Sequence, residues 1–266
     1  EVMNNIDLVF HTAALKHIPF CEQAPLEAVQ SNIVGVKNVI AAATARKVLR
    51  VLFTSSDKGV NPASVMGATK LVGERLISSS HDRDDHQTVF FSTRFGNVLG
   101  SSGSVVPVFH QQIAAGGPVT LTDPRMTRFA MTVSQAAELL LSSADQATGG
   151  EVFITKMPVI RIKDLAEVMI DALAPVYGHK ARTVELEITG IRPGEKLSEE
   201  LMSTEEVARA CELEKYFVVL PDSQPDDSHL AGAAVSKAYS VQAQAPLEKS
   251  QLLQFLRDGG LLEPMP

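Results

Sequence analysis

The polar residues that could do chemistry are concentrated in one stretch, TSSDKGVNPASVMGATK, at positions 54–70. Ser56 offers a hydroxyl, Asp57 a carboxylate and Lys58 an amine at successive positions. Side chains of these types can exchange protons with a substrate. Met66 and Lys70 follow at a spacing of one helical turn, so their side chains share a helix face. A lysine in that position can bind a ribose hydroxyl and lower the pKa of a neighbouring group.

A strand and a helix must position these residues. Residues 51–53 are apolar and favour a strand, residues 54–58 read as a polar loop, and a helix capped by Ser64 should run through Ile77. Open parallel sheets bind their ligands where the carboxyl ends of strands meet the following helices. The stretch therefore predicts a ligand site at the carboxyl edge of a sheet.

The rest of the chain continues this alternation of strands and helices. Further strands are predicted at 6–13, 88–94, 119–122, 151–155 and 184–188, and further helices at 25–46, 105–115, 133–147, 163–173, 204–211 and 247–257. This pattern predicts an α/β fold, a Rossmann-like doubly wound parallel sheet with a smaller carboxyl-terminal α/β lobe. We assign 1–117 to a partial dinucleotide-binding domain, 118–221 mainly to a substrate lobe, and 222–266 to a polar tail with a short helix.

Composition excludes several other classes of protein. The 266 residues carry a formal net charge of −7, which argues against a nucleic-acid partner. No apolar run is long enough for a membrane segment. The two cysteines, Cys21 and Cys211, predict packed thiols in a reducing, cytoplasmic compartment. The spacing of His11, His17 and Cys21 matches no metal-ligand pattern, so we predict no metal site.

Five stretches together carry a family resemblance: DLVFHTAALKHIPFCEQAPLEA, SSDKGVNPASVMGATK, RFGNVLGSSGSVVPVF, MTRFAMT and IRPGEKLSEEL. In their order and spacing the sequence resembles the extended short-chain dehydrogenase/reductases. Within them it resembles the polysaccharide-biosynthesis, CapD-like dehydratases that act on UDP-N-acetylglucosamine. The resemblance covers about residues 7–203, and it implies an NAD or NADP cofactor and a homo-oligomer.

The sequence also departs from that family. The glycine-rich phosphate loop and the residue that selects NAD or NADP are absent, so we expect an amino-terminal part of the sheet to be missing. Met66 stands where most relatives place a catalytic tyrosine, and a thioether cannot exchange a proton. Ser56 stands where the family often has threonine, which keeps the hydroxyl. Some larger members with methionine are membrane-anchored, so the parent protein could be tethered to the inner face of a bacterial membrane.

The resemblance implies an internal redox dehydration. A hydride leaves carbon 4 of the sugar for the cofactor, water is eliminated across carbons 5 and 6, and the hydride returns to carbon 6. By resemblance Asp57 is the acid for the leaving hydroxyl and Lys58 the base that removes the carbon 5 hydrogen. Because Met66 cannot take the first proton, Asp57 could instead serve as that first base.

The resemblance also implies binding residues. Ala13, Ala14, Lys16 and Asn32, with Lys70, fall where the family contacts or lines the dinucleotide. Substrate positions are Asn97, Val105, Pro107, Arg128, Arg192 and Glu195. The two arginines are candidates for the diphosphate, Val105 and Pro107 for the uracil, and Glu195 for a ribose hydroxyl. The Arg192–Glu195 pair could instead be purely structural.

The sequence alone leaves two other functions open. A UDP-sugar 4-epimerase shares the oxidation at carbon 4 but needs no Asp–Lys elimination pair. A non-catalytic nucleotide-sugar-binding protein would explain Met66 and the missing glycine loop.

Overall fold

The structure is a computed structural model that describes residues 2–81, 87–222, 232–235 and 239–264. The strands are β1 (Leu8–His11), β2 (Arg50–Ser56), β3 (Val89–Phe95), β4 (Asn97–Val98), β5 (Val119–Leu121), β6 (Thr127–Met131), β7 (Val152–Thr155), β8 (Val159–Arg161), β9 (Leu186–Ile188), β10 (Ala210–Glu212), β11 (Tyr216–Val219) and β12 (Ala233–Ala234). The helices are α1 (Ile18–Gln23), α2 (Pro25–Val29), α3 (Gly35–Arg46), α4 (Val65–His81), α5 (Val105–Ala114), α6 (Val133–Gln146), α7 (Ile162–Leu173), α8 (Thr204–Val207) and α9 (Lys249–Asp258).

The chain forms two compact units. The first comprises Glu1–Phe95, Ala137–Lys156 and Glu200–Tyr239, and the second Gly96–Ala136, Met157–Glu199 and Ser240–Pro266. These ranges differ from the predicted 1–117, 118–221 and 222–266, because the chain passes between the units several times. A dinucleotide role for one region and a substrate role for another stay predictions.

A seven-stranded sheet organises the first unit. Its order is β1-β2-β3-β7-β11-β10-β12 among the described strands, and β1, β2, β3 and β7 run parallel to one another. The predicted Rossmann-like parallel sheet is confirmed for these four strands. The other three strands extend it with antiparallel pairs.

Side chains alternate between the two faces of this sheet, as the period of a strand requires. Val51 and Phe53 of β2 pack in the cluster that contains Val36 and Ile77 of the helices α3 and α4. Leu52, between them, packs in the cluster that contains Leu139 of α6. Helices therefore cover both faces, which is the doubly wound arrangement.

Three predicted elements need correction. Thr54–Ser56 belong to β2 and not to a loop, because they pair in register with Thr93–Phe95 of β3. The predicted helix at 204–211 ends at Val207, and Ala210–Glu212 pair with β11 instead. The predicted helix at 25–46 contains a π-helical turn, Gln30–Val34, between α2 and α3.

The second unit has short strands and its own apolar core. β6 pairs with β4 and β8, and β5 pairs with β9. Residues of α5, α7 and α9 share one buried cluster. The short helix predicted near residue 250 is confirmed as α9, but Leu252 and Leu256 are fully buried in that cluster and not part of a tail. Residues 223–231 and 236–238 of the predicted tail lie outside the described residues.

Candidate active site

Asp57 and Lys58 form an ion pair on a 3₁₀ turn, Asp57–Gly59, that directly follows β2. Lys58 Nζ lies 2.9 Å from Asp57 Oδ1, and Ser56 Oγ donates to the same oxygen at 2.7 Å. The Asp57 side chain is fully buried, and the Lys58 side chain is 20% exposed. Asp57 Oδ2 is buried and has no hydrogen-bond partner among the described residues. The turn thus brings together the three polar residues predicted at this strand end.

Close packing against α4 fixes the position of this turn. Ser64 Oγ accepts from Gly67 N at 3.2 Å, as predicted for an N-cap, and Glu22 Oε1 accepts from Val65 N at 2.7 Å. A Cβ added at Gly67 would overlap the carbonyl oxygen of Lys58. Only a glycine lets the helix approach the turn so closely.

Lys70 lies on α4 with neutral partners. Its Nζ donates to the Thr54 carbonyl at 2.8 Å and lies 4.8 Å from the ring centroid of Phe53. Burial lowers the pKa of Lys70 to about 8, although the negative charge of Glu74 acts to raise it. Part of the Lys70 amine is therefore uncharged near neutral pH.

Met66, one turn before Lys70, is buried in an apolar cluster with Cys21 and Ala28. Its thioether offers no proton to a substrate. Cys21 and Cys211 are both buried and unpaired, which confirms the prediction of packed thiols.

His11 is a buried polar residue at the end of β1. Its Nε2 has no hydrogen-bond partner among the described residues, and its ring lies 5.9 Å from that of Phe53. Burial lowers the pKa of His11, and the charge of Lys70 lowers it further. The imidazole is therefore uncharged at neutral pH.

We expect the His11 imidazole to make stability depend on pH. Its pKa is lower in the folded chain than in the unfolded chain, so the unfolded chain binds the proton more readily. This contribution to the free energy of unfolding is present above about pH 6.5 and is lost as the pH falls through the lowered folded value. Chemical denaturation between pH 7 and pH 5 should show a smaller loss of stability for His11→Gln than for the wild type. The exposed His17 is the control, because His17→Gln should follow the wild type. An identical pH dependence for His11→Gln and wild type would contradict the assignment.

Asn32 lies in the π-helical turn and binds protein groups. Its Oδ1 accepts from Leu15 N at 2.8 Å, and its Nδ2 donates to the Leu15 carbonyl and to Thr69 Oγ1. These bonds tie the segment after β1 to α4. That Asn32 contacts or lines the dinucleotide stays a prediction. In the segment after β1, Ala13 and Lys16 are exposed and Ala14 is half-buried.

The structure contains a buried ionic cluster that was not predicted from the sequence. Arg94 of β3 is fully buried and binds the carboxylates of Glu74 and Glu206. An arginine within the strand sequence VFFSTRF was the available signal, because a charge in a central strand must have buried partners.

Arg128, in the second unit, uses its guanidinium on backbone carbonyls. It donates to Thr127 and Leu197 from Nη1 and to Lys196 from Nη2. These contacts anchor the segment around Lys196. A contact of Arg128 with the diphosphate stays a prediction.

Arg192 and Glu195 lie on one turn of the second unit. Glu195 Oε2 accepts from the backbone N–H of Arg192 at 3.2 Å. The Arg192 side chain is exposed, and its guanidinium has no hydrogen-bond or ion-pair partner within the described chain. The turn is thus held by the glutamate, while the arginine stays available to a ligand.

The remaining predicted substrate positions also belong to the second unit. Asn97 Nδ2 donates to the Phe129 carbonyl at 3.2 Å. Val105 and Pro107 are half-buried on the first turn of α5. Ser104 precedes α5 as predicted, but its hydroxyl makes no capping bond.

The described residues hold neither a metal cluster nor a membrane span. No group of three or more His, Cys, Asp or Glu side chains there is arranged to hold a metal ion. None of the helices there has the length and apolar character to cross a membrane.

Comparison with known proteins places the chain in a family. The profile of the family described as polysaccharide biosynthesis protein matches residues 1–221. The chain belongs to this family. This membership confirms the polysaccharide-biosynthesis branch that the five sequence stretches predicted.

Curated relatives of the chain carry different names. An uncharacterized membrane protein of Methanocaldococcus jannaschii is 52% identical over 222 residues, which are 83% of this chain and 67% of the relative. The capsular polysaccharide biosynthesis protein CapD of Staphylococcus aureus is 47% identical over 210 residues, 78% of this chain and 34% of the relative. A UDP-glucose 4-epimerase of Rickettsia canadensis is 40% identical over 225 residues, 84% of this chain and 64% of the relative. The chain therefore spans from 34% to 67% of the length of these relatives.

Solved structures share the fold of this family member. Pen from Bacillus thuringiensis superimposes with a TM-score of 0.91 at 44% identity, over 98% of this chain and 78% of that chain. DesIV, a dTDP-glucose 4,6-dehydratase from Streptomyces venezuelae with NAD and TYD bound, has a TM-score of 0.66 at 18% identity, over 74% of this chain and 65% of that chain. At that identity the second likeness concerns the fold alone.

Proposed function

We propose that the chain is part of a nucleotide-sugar dehydratase that converts UDP-N-acetylglucosamine to a UDP-4-keto-6-deoxy sugar for surface polysaccharide biosynthesis. The observation that carries this proposal is the Asp57–Lys58 pair at the end of β2, with one buried Asp57 oxygen unpartnered in the described chain. An elimination needs an acid and a base side by side, and an epimerisation does not.

The residues at the carboxyl ends of β1 and β2 suit a dinucleotide such as NAD. His11 Nε2 and Ser55 Oγ are buried there without protein partners in the described chain, so a polar ligand would satisfy them. Ala13, Ala14 and Lys16 would hold the dinucleotide, and Lys70 would bind its ribose. When bound, NAD supplies an acceptor for a hydride and later returns it. NADP would be held in the same way, so the cofactor is NAD or NADP.

The Asp57–Lys58 pair can supply both groups of an elimination without a proton from solvent. A carboxylate beside an ammonium and a carboxylic acid beside an amine hold the same total number of protons. Transfer of one proton across the 2.9 Å contact from Lys58 Nζ to Asp57 Oδ1 converts the first form into the second. Lys58 then accepts the proton of carbon 5, and Asp57 gives its proton to the leaving hydroxyl. Ser56 Oγ, which donates to the same carboxylate oxygen, holds the acid in place.

A UDP-sugar 4-epimerase is the second candidate, because a relative at 40% identity carries that name. The two reactions share the oxidation at carbon 4 and differ in the steps after that oxidation. Epimerisation requires that the hydride return to carbon 4, with no base at carbon 5.

Product analysis tests the proposal. The full protein with NAD and UDP-N-acetylglucosamine should yield a UDP sugar that has lost one water. A product of unchanged mass with inverted carbon 4 would favour the epimerase. If the nucleotide sugar binds and is recovered unchanged, the protein is a binding module and the proposed reaction is wrong. A homo-oligomeric state and a cytoplasmic location stay predictions.

Arg192 gives a separate prediction about the diphosphate. We expect Arg192→Ala to weaken binding of UDP-N-acetylglucosamine by about 1.5–3 kcal/mol, the usual loss of a charge-assisted contact. UDP alone should lose as much, because the arginine would hold the nucleotide. Calorimetric titration measures both affinities.

Two other arginines serve as controls for this measurement. Arg182→Ala removes an exposed guanidinium of the same unit and should leave UDP affinity unchanged. Arg128→Ala should lower the melting temperature, because it removes bonds to the carbonyls of Lys196 and Leu197. Unchanged UDP affinity in folded Arg192→Ala would make that turn purely structural.

A further inference from the structure

Arg94 organises the buried ionic cluster of the first unit. Its Nε and Nη2 donate to the two oxygens of Glu74 at 3.1 and 2.6 Å, a bidentate pair. Nη1 and Nη2 donate to Glu206 at 3.1 and 2.9 Å, and Nη1 also reaches the Leu201 carbonyl at 2.6 Å. Burial opposes the charge of Arg94, but the two carboxylates outweigh it and raise the pKa of the guanidinium. Arg94 of β3 is therefore a permanent positive charge whose carboxylate partners come from the helices α4 and α8.

Glu74 lies one helical turn after Lys70 on the same helix. A lysine and a glutamate at this spacing are neighbours on a helix surface and commonly form an ion pair. In the described chain Glu74 pairs with Arg94 instead, and Lys70 has no ion-pair partner there. The Lys70 amine keeps the Thr54 carbonyl and the Phe53 ring as its contacts.

We propose that Arg94 is a positioning residue that holds the Glu74 carboxylate out of ion-pair contact with Lys70, so that Lys70 keeps only neutral protein partners. The inference deepens the proposed function and rests on it for the meaning of Lys70. A lysine free of a carboxylate can turn its amine to a ribose hydroxyl. It can also exist partly as the neutral amine that accepts a proton, at a site where Met66 cannot.

The surroundings of Lys70 agree with this role. The ionisable groups on the elements around it are Glu74, Arg75 and His81 on α4, Arg50 on β2, Arg94 on β3, Asp57 and Lys58 on the 3₁₀ turn, Cys21 and Glu22 on α1, Glu27 on α2, Lys37 and Arg46 on α3, and His11 on β1. Burial lowers the pKa of Lys70 to about 8, and the charge of Glu74 acts to raise it. A Glu74 carboxylate in direct contact would raise it further, because an opposite charge within 4–6 Å typically shifts a pKa by about 1–3 units.

The test is the pKa of Lys70 in the ligand-free protein, measured by NMR of labelled lysine and assigned by the loss of its signal in Lys70→Met. Arg94→Met should raise that pKa by about one pH unit or more, since Glu74 is then free to pair with Lys70. Arg94→Met combined with Glu74→Gln should abolish the rise. The matched control is Arg125→Met, which breaks an exposed bidentate pair with Asp123 and should leave the pKa of Lys70 unchanged.

Glu74→Gln keeps the proposal testable if Arg94→Met does not fold. With Glu74 held away from Lys70, this variant should lower the pKa of Lys70 by less than about one pH unit. A larger fall would show that Glu74 already pairs with Lys70 and would overturn the proposal. An unchanged pKa in folded Arg94→Met would also overturn it.

The acidic limb of the kcat/KM profile gives a second readout, because a base that accepts a proton must first lose its own. This limb should move to higher pH in Arg94→Met together with the pKa of Lys70. If product analysis finds no dehydration while the NMR shifts appear as expected, the proposed function fails and the positioning role stands. If dehydration occurs and the NMR shifts are absent, the positioning role alone fails.

Discussion

Lys58→Ala should stop the reaction after its first step. In the full protein with NAD and UDP-N-acetylglucosamine, the oxidation at carbon 4 should proceed, whereas the loss of water should be blocked for lack of a base at carbon 5. Turnover should fall by about 10²–10⁴-fold, the usual contribution of a general base. Nicotinamide absorbance should rise and not decay, and a 4-keto sugar should accumulate on the protein.

Substitution of the neighbouring residue, Asp57, distinguishes two mechanisms. If Asp57 is only the acid for the leaving hydroxyl, Asp57→Asn should accumulate reduced cofactor as Lys58→Ala does. If Asp57 is instead the first base, Asp57→Asn should show no reduced cofactor. Lys37→Ala, on the exposed face of α3, is the control and should turn over normally. Wild-type turnover in both Lys58→Ala and Asp57→Asn would remove the pair from the mechanism.

Gly67→Ala should impair the candidate active site although it removes no polar side chain. The added methyl group overlaps the Lys58 carbonyl oxygen and lies 3.1 Å from Pro62 Cβ, so the turn that carries Asp57 and Lys58 must shift. We expect a loss of about 1–3 kcal/mol in the free energy of unfolding, as for overpacking elsewhere. Turnover should fall by about 10²-fold, because reacting groups tolerate little displacement. Denaturant unfolding and product assays measure the two effects.

Gly35 offers a matched control for this substitution. A Cβ there would lie 3.7 Å from the Gln30 carbonyl oxygen, an ordinary contact. Gly35→Ala should therefore stabilise the helix by up to about 1 kcal/mol and leave turnover intact. Equal tolerance of both substitutions would show that the approach of α4 to the turn is not tight.

The elements with strong local signals could be predicted from the sequence. The apolar core of β2, the Ser64 cap and the helix behind it are set by nearby residues, and the structure confirms them. The order Ser56, Asp57, Lys58 at a strand end was enough to locate the candidate site. Here local propensity and tertiary structure agree.

Other features depend on partners that are distant in sequence. Thr54–Ser56 look like a loop until β3 pairs with them. The carbonyls that bind Arg128 lie about 70 residues further along the chain, at Lys196 and Leu197. Glu206 meets Arg94 across 112 residues. The periodicity of a single sequence does not show which distant residues are in contact. An arginine whose guanidinium binds a ligand therefore cannot be distinguished, from the sequence alone, from one whose guanidinium binds backbone carbonyls.

The π-helical turn at Gln30–Val34 has a consequence for the register of the whole helical segment. It holds one more residue than an α-helical turn would, and each residue of an α-helix turns the chain by about 100°. Because the turn takes up this extra residue, the helical residues on either side keep nearly the phase that one continuous α-helix without that residue would give them. Asn32 binds the Leu15 backbone from within the turn, while Val36 of α3 stays in the core cluster. A one-residue deletion at the turn should therefore disturb the buried face of α3 less than a deletion within α3, which would rotate every later residue of that helix by about 100°.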